Sequence, residues 1–288
     1  MRVSLYVPCY NAEAFLAGCL ESVLAQTLRP DEVLVIDDGS QDCTAMIAAH
    51  FPVTYIRHAG NRGLAAARNT AFRTARNEIV AALDADCVPQ PDWLERLAPH
   101  FGDAKIAAVG GKLIEKVQDS VADRWRAVHM RQHWGEEQVR NPRFMFGNNI
   151  ALRKSVVAEV GWYDERLRTN GEDSNMSTRI RALGYDTFYE PGAVAHHMRR
   201  DTVGSVLETF WRYRRDYHSP VTWTKIWRNF RYQYFGSARY VFQEDWRERR
   251  FSLLWMDALM LIHSPYCDLR MILNSAPVAT QKTQSSEV

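Results

Sequence analysis

Short apolar runs alternate with segments of helical spacing along the first third of the chain. Val3 to Val7, Glu32 to Ile36, Val53 to Arg57 and Glu78 to Leu83 are rich in β-branched and aliphatic residues and read as four strands. Between them, Ala12 to Leu24, Thr44 to His50 and Gly63 to Arg73 repeat apolar residues at helical intervals, and Asp37-Asp38-Gly39-Ser40 forms a turn. This βα rhythm predicts an α/β class with a Rossmann-like, mostly parallel central sheet flanked by helices on both faces.

Ligands of such sheets sit in the crevice beyond the carboxyl ends of the strands. Pro8-Cys9-Tyr10-Asn11, Asp37-Asp38 and Asp84-Ala85-Asp86 each follow a predicted strand, so three distant segments are expected on one rim. Carboxylates at the ends of buried strands are costly unless a cation or hydrogen-bond donors meet them, which points to a metal and a nucleotide. Asp84 and Asp86, two apart, point the same way and can share Mg²⁺ or Mn²⁺, which leaves positions open for phosphate oxygens. The competing readings are a solvated loop pair or a cap for the helix at Pro91-Asp92-Trp93-Leu94. Asp38 is placed to accept from a base N–H, although an Asx-turn or helix cap suits Asp37 or Ser40 equally well. Asn61 to Asn69 opens a helix with glycine and small residues, so backbone can approach a ligand and Arg68 can face an anion. Packing of those small residues on the sheet is the plainer reading.

Composition narrows the class. With 288 residues, 46% of them hydrophobic, the chain can bury a substantial core, as one elaborated domain or one domain with an appendage. Its five cysteines are odd in number and scattered, which fits packing residues in a reducing compartment. No secretory leader is recognisable before the first strand, so the cytoplasm is the expected location. The longest strongly apolar run, Phe251 to Ile262, contains Asp257 and falls short of the roughly 20 residues that span a bilayer. Although the formal net charge is only +2, residues 199–250 hold twelve Lys and Arg against six Asp and Glu, interleaved with aromatics such as Trp211, Trp227 and Phe235. That composition suits an anionic partner or a membrane interface, and equally a helical subdomain with its own aromatic core. No nucleic-acid partner is expected.

Taken together, Val7-Pro-Cys-Tyr-Asn11, Val35-Ile-Asp-Asp-Gly-Ser40, Asn61-Arg-Gly-Leu-Ala-Ala-Ala-Arg-Asn69, Leu83-Asp-Ala-Asp86, Gly147-Asn-Asn, Gly161-Trp-Tyr-Asp-Glu165, Gly171-Glu-Asp173 and a histidine after Pro191 form an ordered set. In order and spacing this set resembles family 2 glycosyltransferases of the GT-A fold, over roughly residues 1 to 200. The resemblance implies inverting transfer of a sugar from a nucleotide diphosphate donor to an acceptor, with Mn²⁺ or Mg²⁺. It implies that Pro8, Tyr10, Asn11, Asp38, Asn61, Arg68 and Asp84 line the donor side, Asp84 near the ribose or sugar, and that Asp86 is the main metal carboxylate. Asp173 resembles the general base, and an ionised carboxylate opposite the leaving phosphate can take the acceptor proton. Because Asp173 also opens a helix, that helix start is expected to hold its pKa low. Glu172 reads as a supporting or acceptor-binding residue. Asn148, Asn149 and Trp162 are expected on the acceptor side, with core packing an equal contender for Trp162 and Tyr163. A metal-ligand histidine is implied near the end of Ala193-Val-Ala, and the distance from Pro191 favours His197 over His196.

The resemblance fades after His197. The expected organisation is a domain over 1–200, with a donor half at 1–110 and an acceptor half at 111–200, then a basic aromatic helical extension at 201–275 and a disordered tail at 276–288. Neither the transmembrane helices nor the Gln-x-x-Arg-Trp motif of processive synthases is present, so a non-processive enzyme is expected. Its acceptor is expected to be a saccharide or lipid-linked saccharide, with UDP the favoured donor nucleotide. Residues 204–262 are expected to give peripheral contact at the inner face of the cell membrane. The rival classes are a nucleotidyltransferase, whose glycine-rich phosphate loop is missing, and a non-catalytic sugar-nucleotide or glycan-binding protein.

Overall fold

The computed structural model describes residues 1–167, 170–214 and 222–275, so the expected tail at 276–288 lies outside the described residues. In chain order the elements up to residue 197 are β1 (Val3–Cys9), α1 (Leu16–Leu24), β2 (Glu32–Asp37), α2 (Thr44–Ala48), β3 (Thr54–Arg57), α3 (Leu64–Thr74), β4 (Ile79–Leu83), β5 (Cys87–Pro89) and α4 (Trp93–Leu97), then β6 (Ile106–Glu115), α5 (Val121–His129), β7 (Val139–Arg140), β8 (Asn149–Arg153), α6 (Lys154–Glu159), α7 (Glu172–Ala182) and β9 (Asp186–His197).

Among the described residues the nine strands form one sheet, ordered β3-β2-β1-β4-β8-β6-β9-β5 with β7 added on β9. The expected parallel order holds across β1 to β4. Beyond β4 the sheet is mixed, because β8 runs antiparallel to both β4 and β6 while β6 and β9 are parallel. Antiparallel entry needs no crossover helix, and side-chain periodicity carries no information on strand direction. β6 crosses residue 110, so the two expected halves share this sheet.

Side-chain alternation explains why the first strands read as unbroken apolar runs. Leu5, Val7, Val33, Val35, Ile79, Ala81 and Leu83 face a core that also buries Leu16, Leu20 and Trp93. Their neighbours Tyr6, Leu34, Ile36, Val80 and Ala82 face a second core with Ala67, Ala71, Phe72 and Ile180. Both faces are covered, as parallel strands require. α1 starts at Leu16 rather than Ala12 because Asn11 adopts a positive φ of 50° and the Ala12 carbonyl caps the turn by accepting from the Phe15 and Leu16 amides.

The chain divides into two compact units, residues 1–119 with 126–200, and residues 120–125 with 201–288. The second is helical where described: α8 (Val203–Arg214), α9 (Trp223–Arg228), a π-helical segment (Asn229–Tyr234), α10 (Phe235–Arg247) and α11 (Leu254–Ser275). Its interior joins aromatic donors to buried carboxylates. Asp268 accepts from Trp211 Nε1 at 2.9 Å and from the Tyr234 hydroxyl at 2.7 Å, and Asp257 accepts from Trp125 Nε1 at 2.7 Å. Such pairing lets an aromatic core absorb charges that would otherwise be costly. Among the described residues no helix is long and apolar enough to cross a membrane.

The turn after β2 brings the Asp38 region against the loop before α3. Gly39 has a φ of +84°, and a Cβ there would lie 2.8 Å from the Gly60 carbonyl carbon. Gly39→Ala is expected to cost about 1–3 kcal/mol through the backbone conformation alone, with the clash in addition. A urea titration reads this as a lower midpoint; an unchanged midpoint would contradict the turn geometry.

Candidate active site

The carboxyl ends of β1, β2 and β4 lie side by side, since Cys9 pairs with Asp37 and Tyr6 with Ala82. The Asp84 amide, one residue past β4, donates to the Asn148 carbonyl at 3.2 Å and so draws in the loop before β8. Beneath this contact lies Arg68 of α3, 1% exposed. Its Nη1 donates to the Gly147 carbonyl at 2.6 Å and to the Tyr6 hydroxyl at 3.2 Å. Nη2 lies 3.6 Å from Asp84 Oδ1, and Nε lies 3.6 Å from Glu172 Oε1. Arg68, expected to face a donor anion, is buried among these protein groups with its Nε lacking a hydrogen-bond partner, because the small face of α3 packs down on the sheet. Glu172, expected as a supporting or acceptor-binding residue, is buried at 4% exposure as an ion-pair partner of Arg68.

Asp173 stands at the other side of the same loop. Its Oδ2 accepts from the Gly147 amide at 3.2 Å and its Oδ1 from the Ser174 amide at 2.6 Å. A Cβ on residue 147 would lie 2.8 Å from Arg68 Nη2 and 3.2 Å from the Asp173 Cβ, so the crowding leaves room for glycine alone. The expectation of a depressed Asp173 pKa is also corrected. Burial raises it, outweighing Arg68 and the Ser174 and Gly147 amides, and burial together with Asp173 pushes Glu172 up to about 7. Asp84 is pushed up to about 6, first by burial and then by Asp86 and Asp173, against Arg68 and His197. Asp84, Asp86, His197 and Asp173 therefore act within one electrostatic field.

Asp86 Oδ2 lies 3.0 Å from His197 Nε2, while His197 Nδ1 is 2.8 Å from Glu115 Oε2. Arg126 Nε closes the relay by donating to Glu115 Oε1 at 3.0 Å. A carboxylate behind a ligating histidine fixes its ring orientation. The donor set suits a divalent cation. Carboxylate and imidazole are both ligand types for divalent cations such as Mn²⁺, and Asp84 Oδ1 is buried with no hydrogen-bond partner. His196 carries an unpaired Nδ1 and is not part of this relay. Glu115 and Arg126 went unrecognised in the sequence, although Glu115 closes an apolar strand just as Asp38 and Asp84 do.

The remaining predicted residues separate into two groups. Asp38 is 4% exposed, and its oxygens accept from His58 Nδ1 at 2.7 Å, the Arg62 amide at 2.9 Å and the Gly63 amide at 2.7 Å. These contacts occupy three of its roughly four lone-pair positions. Asn11 ties the β1 loop to the same turn, with its amide donating to Ser40 Oγ and its Oδ1 accepting from the Gln41 amide. Pro8 is buried in β1, whereas Tyr10 is 49% exposed beside it and Asn61 is exposed in the loop before α3. Asn148 is partly exposed, donates to Gln132 Oε1 at 2.6 Å and keeps a buried Oδ1 without a hydrogen-bond partner. Asn149, expected on the acceptor side, turns inward instead, 1% exposed with Oδ1 accepting from Trp93 Nε1 at 2.5 Å. Trp162 packs against Arg73, 5.3 Å from ring centroid to guanidinium carbon, and Tyr163 is core.

A Rossmann-like sheet carrying an Asp-x-Asp at the end of β4 and a buried histidine at the end of β9 defines a GT-A glycosyltransferase domain. The mannosyltransferase PcManGT from Pyrobaculum calidifontis, solved with GDP-Man and Mn²⁺, shares this fold with a TM-score of 0.55 and 21% identity, covering 96% of this chain and 76% of that one. In sequence, glycosyltransferase AglE of Haloferax volcanii is 30% identical over 219 residues, 73% of this chain and 71% of the relative. The pre-mycofactocin glycosyltransferase of Mycobacterium tuberculosis is 31% identical over 186 residues, 62% of this chain but only 39% of that relative's length. The model of glycosyl transferase family 2 matches residues 4–161, and the chain belongs to this family.

Burial works against a charged His197, but its hydrogen bonds to Asp86 and Glu115 prevail and raise it from 6.5 to about 9. Stability contributed by the protonated ring is thus fully present below pH 6.5 and is lost as pH rises through about 9. In metal-free protein the Tm advantage of wild type over His197→Gln is expected to shrink across that window. A pH-independent difference would count against the Asp86–His197–Glu115 relay.

Proposed function

We propose that the chain transfers a sugar from a nucleotide diphosphate donor to an acceptor hydroxyl with inversion, using Asp173 as general base. One observation carries the reading. The Gly147 amide binds the Asp173 carboxylate, while the carbonyl of the next residue, Asn148, holds the Asp84 amide, so base and Asp-x-Asp are tied to adjacent residues of one loop. As the acceptor oxygen bonds to the anomeric carbon, its proton passes to Asp173 and the bond from that carbon to the diphosphate oxygen breaks. The raised pKa of Asp173 makes it a stronger base than an exposed aspartate. Asp86 and His197 would hold Mn²⁺ or Mg²⁺, with Asp84 alongside; when bound, the cation offsets charge developing on the leaving diphosphate.

The donor nucleoside enters beside Tyr10, where Asp38 offers its remaining lone pair to a base N–H, and UDP is favoured. Asn148, whose Oδ1 is buried without a hydrogen-bond partner, would accept from a sugar hydroxyl. The acceptor is a saccharide or lipid-linked saccharide extended one residue at a time, and the basic helical unit supplies peripheral contact at the inner membrane face. Family membership and the tethered base both favour a transferase over a binding protein.

Asp173→Asn is expected to lower kcat for nucleoside diphosphate release by about 10²–10⁴ while leaving UDP-sugar affinity within a few fold. Turnover at the wild-type rate would refute the assignment of the base. Asp86→Asn is expected to raise the Mn²⁺ concentration needed for half-maximal activity. A variant with an unchanged Mn²⁺ dependence would place the cation elsewhere.

A further inference from the structure

Residues 223–247 run through α9, the π-helical segment and α10 without a break, and this stretch exposes more aromatic surface than its own packing uses. Its buried stripe along α10 is Tyr234, Ala238, Val241 and Asp245, at helical spacings of four, three and four. One position further on, Phe235, Arg239, Phe242 and Trp246 repeat those spacings on the exposed side, with Phe235 51%, Phe242 42% and Trp246 60% exposed. A helix packed against one neighbour needs only the first stripe. The π-helical segment adds Phe230, 37% exposed, ahead of Phe235. Trp227 precedes Phe230 by one α-turn and meets it edge-on at 6.4 Å. At the far end Phe242 stacks on Trp246 at 6.2 Å, and Trp246 meets Phe251 at 5.5 Å.

Arg228, Arg231, Arg239, Arg247 and Arg249 are all exposed along this ridge, against the single exposed acid Glu248. An open recess of about 720 Å³, lined by Phe242, Gln243, Trp246 and Arg247, lies on it. Rings with guanidinium groups between them match a surface that is apolar below and anionic above, which is the boundary of a phospholipid leaflet. The same surface suits a second copy of the chain poorly, because a two-fold contact would set arginines against arginines.

We propose that this ridge, from Trp227 to Trp246, is the face on which the helical unit lies flat on an anionic phospholipid bilayer, with rings in the headgroup boundary and arginines on lipid phosphates. It rests on the peripheral contact read above and names the face and the lipid charge that make it; the donor chemistry is independent of it.

Co-sedimentation of the full chain with phosphatidylcholine vesicles, with and without phosphatidylglycerol, tests the proposal. Binding is expected only with the anionic lipid, weakening as salt rises, with each basic residue worth about fivefold in affinity. The double substitution Phe242→Ser with Trp246→Ser is expected to lower vesicle affinity about tenfold or more. Because both rings are exposed, its Tm and its donor-dependent release of nucleoside diphosphate stay at wild-type values. Arg239→Glu with Arg247→Glu is expected to abolish the preference for phosphatidylglycerol. Equal recovery with and without phosphatidylglycerol, or undiminished binding by the serine variant, would overturn the proposal. So would light scattering that shows a dimer in wild type and a monomer in that variant, since the ridge would then join two copies. Loss of nucleoside diphosphate release in wild type would instead strike at the transferase reading and leave vesicle binding untouched.

Discussion

The candidate site depends on a guanidinium that never reaches solvent. A buried cation costs several kcal/mol unless charge and hydrogen bonds surround it. Arg68 meets that requirement by gathering Asp84 from the end of β4, Glu172 from the start of α7 and the Gly147 carbonyl from the loop before β8. Three segments distant in sequence are thereby fixed before any ligand arrives. Asp173 inherits its place from this arrangement, since the amide it accepts from belongs to the residue whose carbonyl Arg68 holds. Positioning from within, by packed side chains and paired charges, gives a side chain the precision that solvent-exposed loops lack.

A second constraint operates around Asp86 and His197, and strand register sets it. Cys87 of β5 lies opposite His197 of β9, and Glu115 of β6 lies opposite the same histidine on its other side. Asp86, one residue before Cys87, is thus delivered to the ring. Burial alone would raise the Asp86 carboxylate, but the His197 bond and the charges of His197, Arg199 and Arg126 hold it below the ordinary range. The rim accordingly carries two kinds of carboxylate. Asp86 is kept ionised, which suits a ligand, whereas Asp173 and Glu172 are raised by burial, which suits proton transfer. The helical unit differs, because its buried carboxylates Asp257 and Asp268 accept from indole and phenol donors, while Asp245 pairs with Arg250.

Much of this was legible in the chain before folding. Strands β1 to β4, the helices between them and the rim at Pro8–Asn11, Asp37–Asp38 and Asp84–Asp86 follow from apolar periodicity and turn chemistry, which are local properties. The ordered motifs gave the family, which the match over residues 4–161 shows. The choice of His197 over His196 rested on one residue of spacing, and the structure buries His197 between Asp86 and Glu115. Less was legible where one residue type serves two purposes. Arg68 read as facing an anion and Asn149 as lining the acceptor side, and the structure buries both. A polar residue looks the same in sequence whether its partner is a ligand or another buried side chain.

By itself, then, the sequence determined the alternation of elements, the rim they build and the chemical types available there, since each depends on residues within a few positions of one another. The tertiary structure alone decided the direction of β8, the partners of Arg68, the Glu115–His197–Asp86 relay and the upward pKa shift of Asp173. Each of these is a matter of through-space distance and burial, and neither quantity exists until segments a hundred residues apart are packed together.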